Sequence, residues 1–346
     1  MLASSTSNHI LYRRILNRMG WSMLLFTAVF NLLNTVPVAV AGVRDYITSP
    51  LWHNLVTALY GILAAICYIT PFFLAGTFFY AISRRLRTER PALEIRLAPE
   101  FPLLIFAGMA ILTAGAYVNG WFCNIIGYTM PTDMILSESY DVPSTIIMYM
   151  SVAVAPAFAE EFLFRGVFYA NLRPFGRTQA VLISSLLFAL MHQNIGQLFY
   201  TFVAGIAMAL MYELTGSIWC SVFFHLLNNQ MAVLSEVINY GWYGEASLPY
   251  LTILDAILLL LGIISIVLLV LHYKKQTTCQ KQLRHRGIWG AQTEPVTIAS
   301  CDAPMSASHV VKGALSPGMI AFTVEAVANM LATWLLLEFI NEGILW

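Results

Sequence analysis

Long apolar stretches, separated by short polar or turn-forming segments, run along almost the whole chain, and their lengths set the fold class. A helix crosses the hydrocarbon core of a bilayer with about 20 predominantly apolar residues. Apolar spans of about that order fall at roughly 20–43, 54–82, 101–122, 144–171, 178–194, 197–214, 216–237 and 250–272. A ninth candidate lies at roughly 317–340. Pro37 and Pro71 fall inside spans, where neighbouring helices re-satisfy the carbonyls that proline frees. The pattern predicts an all-α, polytopic membrane helix bundle of about eight transmembrane helices, with a ninth near the C-terminus.

Composition agrees. The 346 residues are 59% hydrophobic and only 10% charged, with a mean hydropathy of +0.72. Soluble domains carry about 25% charged residues, so that class is excluded. The net charge is zero, which gives no sign of a nucleic-acid partner. Cys67, Cys123, Cys220, Cys279 and Cys301 form no CxxC and read as small packing residues. The polar, basic first 19 residues lead into an apolar run long enough to span, which predicts an uncleaved first helix.

Charge also predicts orientation in the cell membrane. With the N-terminus and its Arg13, Arg14 and Arg18 in the cytoplasm, only Arg44 of the 18 basic residues falls outside, and the loop 123–143 has none. Five segments follow: N-terminal transmembrane helices over 1–143, a core over 144–237, a further helix in 238–272, a basic and polar cytoplasmic linker over 273–316, and an apolar helix in 317–346. Within the last, Glu325, Asn329 and Thr333 recur every four residues and form a polar stripe expected to pack against the bundle or the interface.

The core carries the chemistry. Ionisable side chains at bilayer depth cost several kcal/mol each unless paired or functional. Here Glu160 and Glu161 stand side by side, followed by His192 and then by His225 with Asn229, on three of the apolar segments. Adjacent helical residues point about 100° apart, so the two glutamates are not expected to face one cavity together. Glu161 and Arg165, at i,i+4, suit a structural ion pair. Glu160 then turns into the bundle, where a low dielectric favours a general base. At 1.5 Å per residue, Glu160 lies ~16 Å from the end of its helix, His192 ~21 Å and His225 ~12–13 Å along theirs, so one site near the midplane is feasible. His225 and Asn229 share a face, as do Phe188 and His192. An imidazole with an amide suits a developing oxyanion, and an imidazole beside Glu160 suits a water held for attack on a carbonyl. Singly, each histidine or ion pair is as well read as packing glue; jointly they point to a reaction centre.

The order Glu160-Glu161 with Arg165 (EExxxR), Phe188 with His192 (FxxxH) and His225 with Asn229 (HxxxN) resembles the CAAX-processing and bacteriocin-processing intramembrane endopeptidases, related to the type II CAAX prenyl endopeptidase. The resemblance covers about residues 144–237. It implies a peptidase acting on a peptide or protein substrate in or at the membrane, with Glu160 and His192 activating water and His225 with Asn229 binding the oxyanion. It leaves two versions open: a glutamate-dependent mechanism without metal, or zinc held by Glu160, His192 and His225 with one position for water. The metal-free version fits better, because Glu160 cannot readily be ligand and base at once, unless Glu161 serves as the base. HExxH is absent, GxSxG does not appear with a membrane histidine nearby, and GxGD does not pair with a membrane aspartate. A transporter or proton relay would spread its ionisable groups across the bilayer rather than cluster them. A catalytically idle immunity or scaffold protein is the remaining alternative.

Overall fold

The arrangement of these helices is that of a computed structural model. It describes residues 5–44, 49–86, 98–128, 142–238, 248–285 and 306–341, with 46, 88, 89, 91 and 93–95 between them. The described residues are helical throughout, with turns and no strand. Helix α1 runs Ser5–Arg44, α2 Pro50–Ile82 and α3 Phe101–Ile125. Helix α4 is composite: an α turn at Val142–Met148, a π stretch at Tyr149–Val154, α again at Ala155–Glu161, a second π stretch at Phe162–Tyr169, then Ala170–Leu172. A tight turn at Arg173–Phe175 and Gly176, with φ +141°, sends the chain into α5, Arg177–Met191. Helices α6 (Ile195–Thr215), α7 (Ile218–Glu236), α8 (Leu248–His285), α9 (Ala307–Ala314) and α10 (Pro317–Asn341) follow.

Seven stretches among the described residues are long and apolar enough to cross a membrane: 8–37, 55–82, 101–125, 145–175, 195–215, 248–275 and 317–336. The ninth candidate is therefore a spanning-length helix. The two predicted spans missing from this set are α5, with 15 residues, and α7, whose 19 residues include Ser221, His225, Asn228 and Asn229. The span predicted to end at 194 stops at Met191, so His192 sits on a turn rather than within a helix. Asn194 ends that turn by accepting the Gly196 N–H at the start of α6.

The predicted linker 273–316 also differs. Helix α8 continues to His285, and residues 307–314 form α9. Residues 286–305 lie outside the described residues, as do Cys301, Arg87, Arg90, Arg96 and Arg286. Cys67, Cys123 and Cys220 are buried and take part in no disulfide among the described residues, as packing residues are expected to be.

Helix α4 occupies the middle of the bundle, against α2 on one side and α5 and α7 on the others. Helices α5 and α6 pair closely: a Cβ on Gly205 would stand 2.9 Å from the Cα of Ser185, so only glycine permits this approach. Helices α1, α9 and α10 pack together at one flank, and α8 packs on α3. The α1–α10 crossing is tighter still, since a Cβ on Gly20 would meet the Gly318 carbonyl carbon at 2.1 Å. At one end, Glu213 of α6 accepts from Arg173 at 2.7 Å and meets Arg177 at 3.3 Å, fixing the turn after α4. Tyr169 donates to the same carboxylate. Helix α8 turns Leu260, Ile263, Val267 and Leu271 outward, a surface that suits lipid.

Candidate active site

Pro156 sits at the start of the α segment and has no N–H to give the turn before it. The Asn229 side chain of α7 donates to the Val152 carbonyl in that turn, at 3.1 Å. Its own oxygen accepts from Asn228, which in turn accepts from the Tyr200 hydroxyl at 2.7 Å. Asn229 thus docks α7 onto the π stretch just before the two glutamates.

The α segment between the π stretches carries both carboxylates into the interior. Glu161 is fully buried and Glu160 is 2% exposed. Glu161 accepts from Arg165 Nη1 at 2.8 Å, from the Ser221 hydroxyl at 2.6 Å and from His225 Nδ1 at 3.0 Å. The predicted Glu161–Arg165 pair is present and larger than expected, because two α7 side chains join it. Arg165, itself fully buried, gives Nη2 to the Gly205 carbonyl at 2.9 Å and lies over the Phe188 ring, 4.8 Å from its centre.

Glu160 takes the other side of the same imidazole. Its Oε1 accepts from the Tyr68 hydroxyl, and its Oε2 stands 3.9 Å from His225 Nε2 with no hydrogen-bond partner among the described residues. The two glutamates were not expected to face one cavity. They do reach one histidine, because an imidazole presents its two nitrogens on separate edges. With Nδ1 pointing at a carboxylate, that nitrogen carries the proton, which leaves Nε2 of neutral His225 an acceptor.

His192 lies across the Phe188 ring, whose centre is 5.0 Å from the His192 ring and 5.9 Å from that of His225. Its Nδ1 bonds to the Phe188 carbonyl at 2.9 Å. Glu160, Glu161, Arg165 and His225 therefore form one connected cluster. His192 borders it through Phe188, and Asn229 borders it through α4. Sequence reasoning missed Tyr68 and Ser221. Ser221 had a signal, since it lies one turn before His225 on the same face. Tyr68, 92 residues from Glu160, had none.

Zinc held by Glu160, His192 and His225 can be tested against these positions. Among the described residues no three His, Cys, Asp or Glu side chains come together as metal ligands.

The cluster sets a Glu160 carboxylate oxygen and a His225 imidazole nitrogen 3.9 Å apart in a buried setting. With this geometry in place, comparison with known families finds that residues 142–231 match one described as type II CAAX prenyl endopeptidase Rce1-like. The match spans Glu160, Glu161, Arg165, His192, His225 and Asn229. No curated protein and no solved structure matches the chain.

Proposed function

We infer that this chain, Rce1-like over residues 142–231, hydrolyses a peptide bond of a membrane-associated polypeptide, with Glu160 as the base. One observation carries the reading: Glu160 has one oxygen held by Tyr68 and the other directed at His225 without a protein donor. The 3.9 Å separation is too long for a direct hydrogen bond and suits one bridging water. Such a water gives one hydrogen to Glu160 Oε2 and the other to His225 Nε2, so its lone pair is aimed away from both. Its oxygen attacks the scissile carbonyl carbon as Glu160 takes the proton, and the carbonyl electrons move onto oxygen. Glu160 then protonates the amide nitrogen, the C–N bond breaks, and the carboxyl product forms.

Glu161 in this scheme fixes the tautomer of His225, with Arg165 and Ser221 fixing Glu161 in turn. The oxyanion draws on the second amide hydrogen of Asn229, the first being given to Val152. In this reading His225 stands with Glu160 at the water, and His192 lines the site beside Phe188. The prenylated CAAX tail named in the family description is the substrate class to assay first.

Tyr68→Phe is expected to lower cleavage roughly tenfold or more, because a hydrogen bond to a charged group contributes about 1.5–3 kcal/mol. Unchanged turnover in purified Tyr68→Phe protein would remove Tyr68 from the site. The metal-free scheme predicts that chelator-treated protein keeps its activity and that elemental analysis finds no stoichiometric zinc. Zinc whose removal stops cleavage would replace the scheme. The distribution of basic residues supports a cytoplasmic N-terminus. Topology reporters fused at the N-terminus and in the loop 123–143 should report opposite sides, and the same side for both would overturn the orientation.

A further inference from the structure

The first and last helices lie outside the Rce1-like stretch, and between them is a pocket of about 440 Å³. It is lined by His9, Arg13, Arg14 and Asn17 of α1, by His309 and Lys312 of α9, and by Ser316 and Pro317 at the start of α10. Three permanent cations and two histidines converge there, and no carboxylate among the described residues lines it. The rings of His9 and His309 stack face to face, 4.3 Å apart and 4° from parallel. Ser316 is fully buried, yet its hydroxyl has no partner among the described residues. Like charges so arranged repel unless an anion neutralises them. The apolar run of α10 begins beside the pocket, at Pro317, and the pocket's α1 residues belong to the polar, basic stretch that precedes the apolar run of α1.

We propose that this pocket binds a phosphate-bearing anion at the membrane surface. Arg13, Arg14 and Lys312 supply the charge, and the Ser316 hydroxyl supplies a neutral donor. The phosphate of an acidic phospholipid headgroup and a free phosphate share this chemistry.

Thermal unfolding of the full-length protein in detergent separates them, with phosphatidylglycerol, phosphatidylcholine or inorganic phosphate added. Phosphatidylglycerol is expected to raise the midpoint and phosphatidylcholine not. A matching rise with inorganic phosphate assigns the site to the free anion as well. The Arg13→Gln/Arg14→Gln/Lys312→Gln protein should lose the rise, with phosphatidylglycerol affinity falling about fivefold per residue. An Arg84→Gln/Arg85→Gln control at the end of α2 should keep it. No anion-dependent rise in the parent protein, a rise that survives the triple change, or an equal loss in the control would each overturn the site.

A second inference stands on a different observation and rests on the reading of His192 as part of the site. Gln193, the next residue, is the one described non-glycine residue with positive φ, at +50°. Its side chain is gripped from α10. Nε2 donates to both oxygens of Glu325 at 3.1 and 3.2 Å, and Oε1 accepts from Asn329 at 2.9 Å. Asn329 also donates to Glu325 at 2.6 Å. We propose that Glu325 and Asn329 are positioning residues for His192, holding the unfavourable turn that presents its ring.

Carbethoxylation of His192 by diethyl pyrocarbonate, read by peptide mass spectrometry on the full-length protein, needs no substrate. Glu325→Ala should change the rate at His192 severalfold while leaving exposed His272 as it was. Adding Gln193→Gly, which adopts positive φ freely, should bring the rate back. A parental rate in Glu325→Ala, or equal changes at His192 and His272 with a lowered unfolding midpoint, would overturn the role. Failure of the catalytic reading shows elsewhere, as cleavage that survives Glu160→Gln.

Discussion

Glu160→Gln should abolish proteolysis while leaving a folded protein, with a loss on the order of 10²–10⁴ in rate, the usual contribution of a general base. Glutamine keeps an oxygen for the Tyr68 hydroxyl and nearly the same volume, so the contact that orients the side chain survives. What disappears is the basic oxygen facing His225. Cells carrying the variant should accumulate uncut precursors, visible by comparing their membrane proteomes with those of cells carrying the parent. A parental cleavage pattern in both that comparison and the purified protein would take Glu160 out of the chemistry, and the transporter or scaffold readings would then need to be reopened.

Arg165→Ala should act on stability instead, and strongly. The guanidinium is fully buried, holds Glu161 at 2.8 Å and the Gly205 carbonyl at 2.9 Å, and rests on Phe188. Removing it leaves a buried carboxylate with Ser221 and His225 as its remaining partners. Breaking a buried pair from one side costs about 3–5 kcal/mol, because the remaining charge is uncompensated. Lysine offers no planar fork to reach both acceptors and should rescue little. Replacing both partners, as in Glu161→Gln with Arg165→Met, should be less damaging than Arg165→Ala alone. Unfolding midpoints in detergent check the order; an Arg165→Ala protein as stable as the parent would mean the pair is not holding α4.

What could be read from the sequence was what helical periodicity encodes. Glu161 with Arg165 is a contact within one helix, and the pattern predicted it. The apolar spans and the all-helical bundle were equally legible, because length and hydropathy decide them. Contacts between helices were not. The pairing of His225 with Asn229 rested on their shared helix face, while the contacts of His225 Nδ1 with Glu161 and of Asn229 with the Val152 carbonyl cross between helices and had no local signal. Tyr68 reaches Glu160 from another helix, and nothing in its local sequence marks it. The polar stripe of α10 was expected to pack against the bundle; Glu325 and Asn329 do so on Gln193, while Thr333 stays exposed.

Pro156 in α4 leaves the turn before it one N–H short, and Asn229 in α7, 73 residues later in the chain, supplies that turn with a donor. Neither position can be judged by itself. An alanine at 229 would take this donor from the Val152 carbonyl, so impaired turnover there reports misplacement as readily as missing chemistry. An alanine at 156 would let the backbone mend itself and release the amide from duty. Transplanting α4 into another scaffold without its partner helix would carry the wound along and leave the dressing behind.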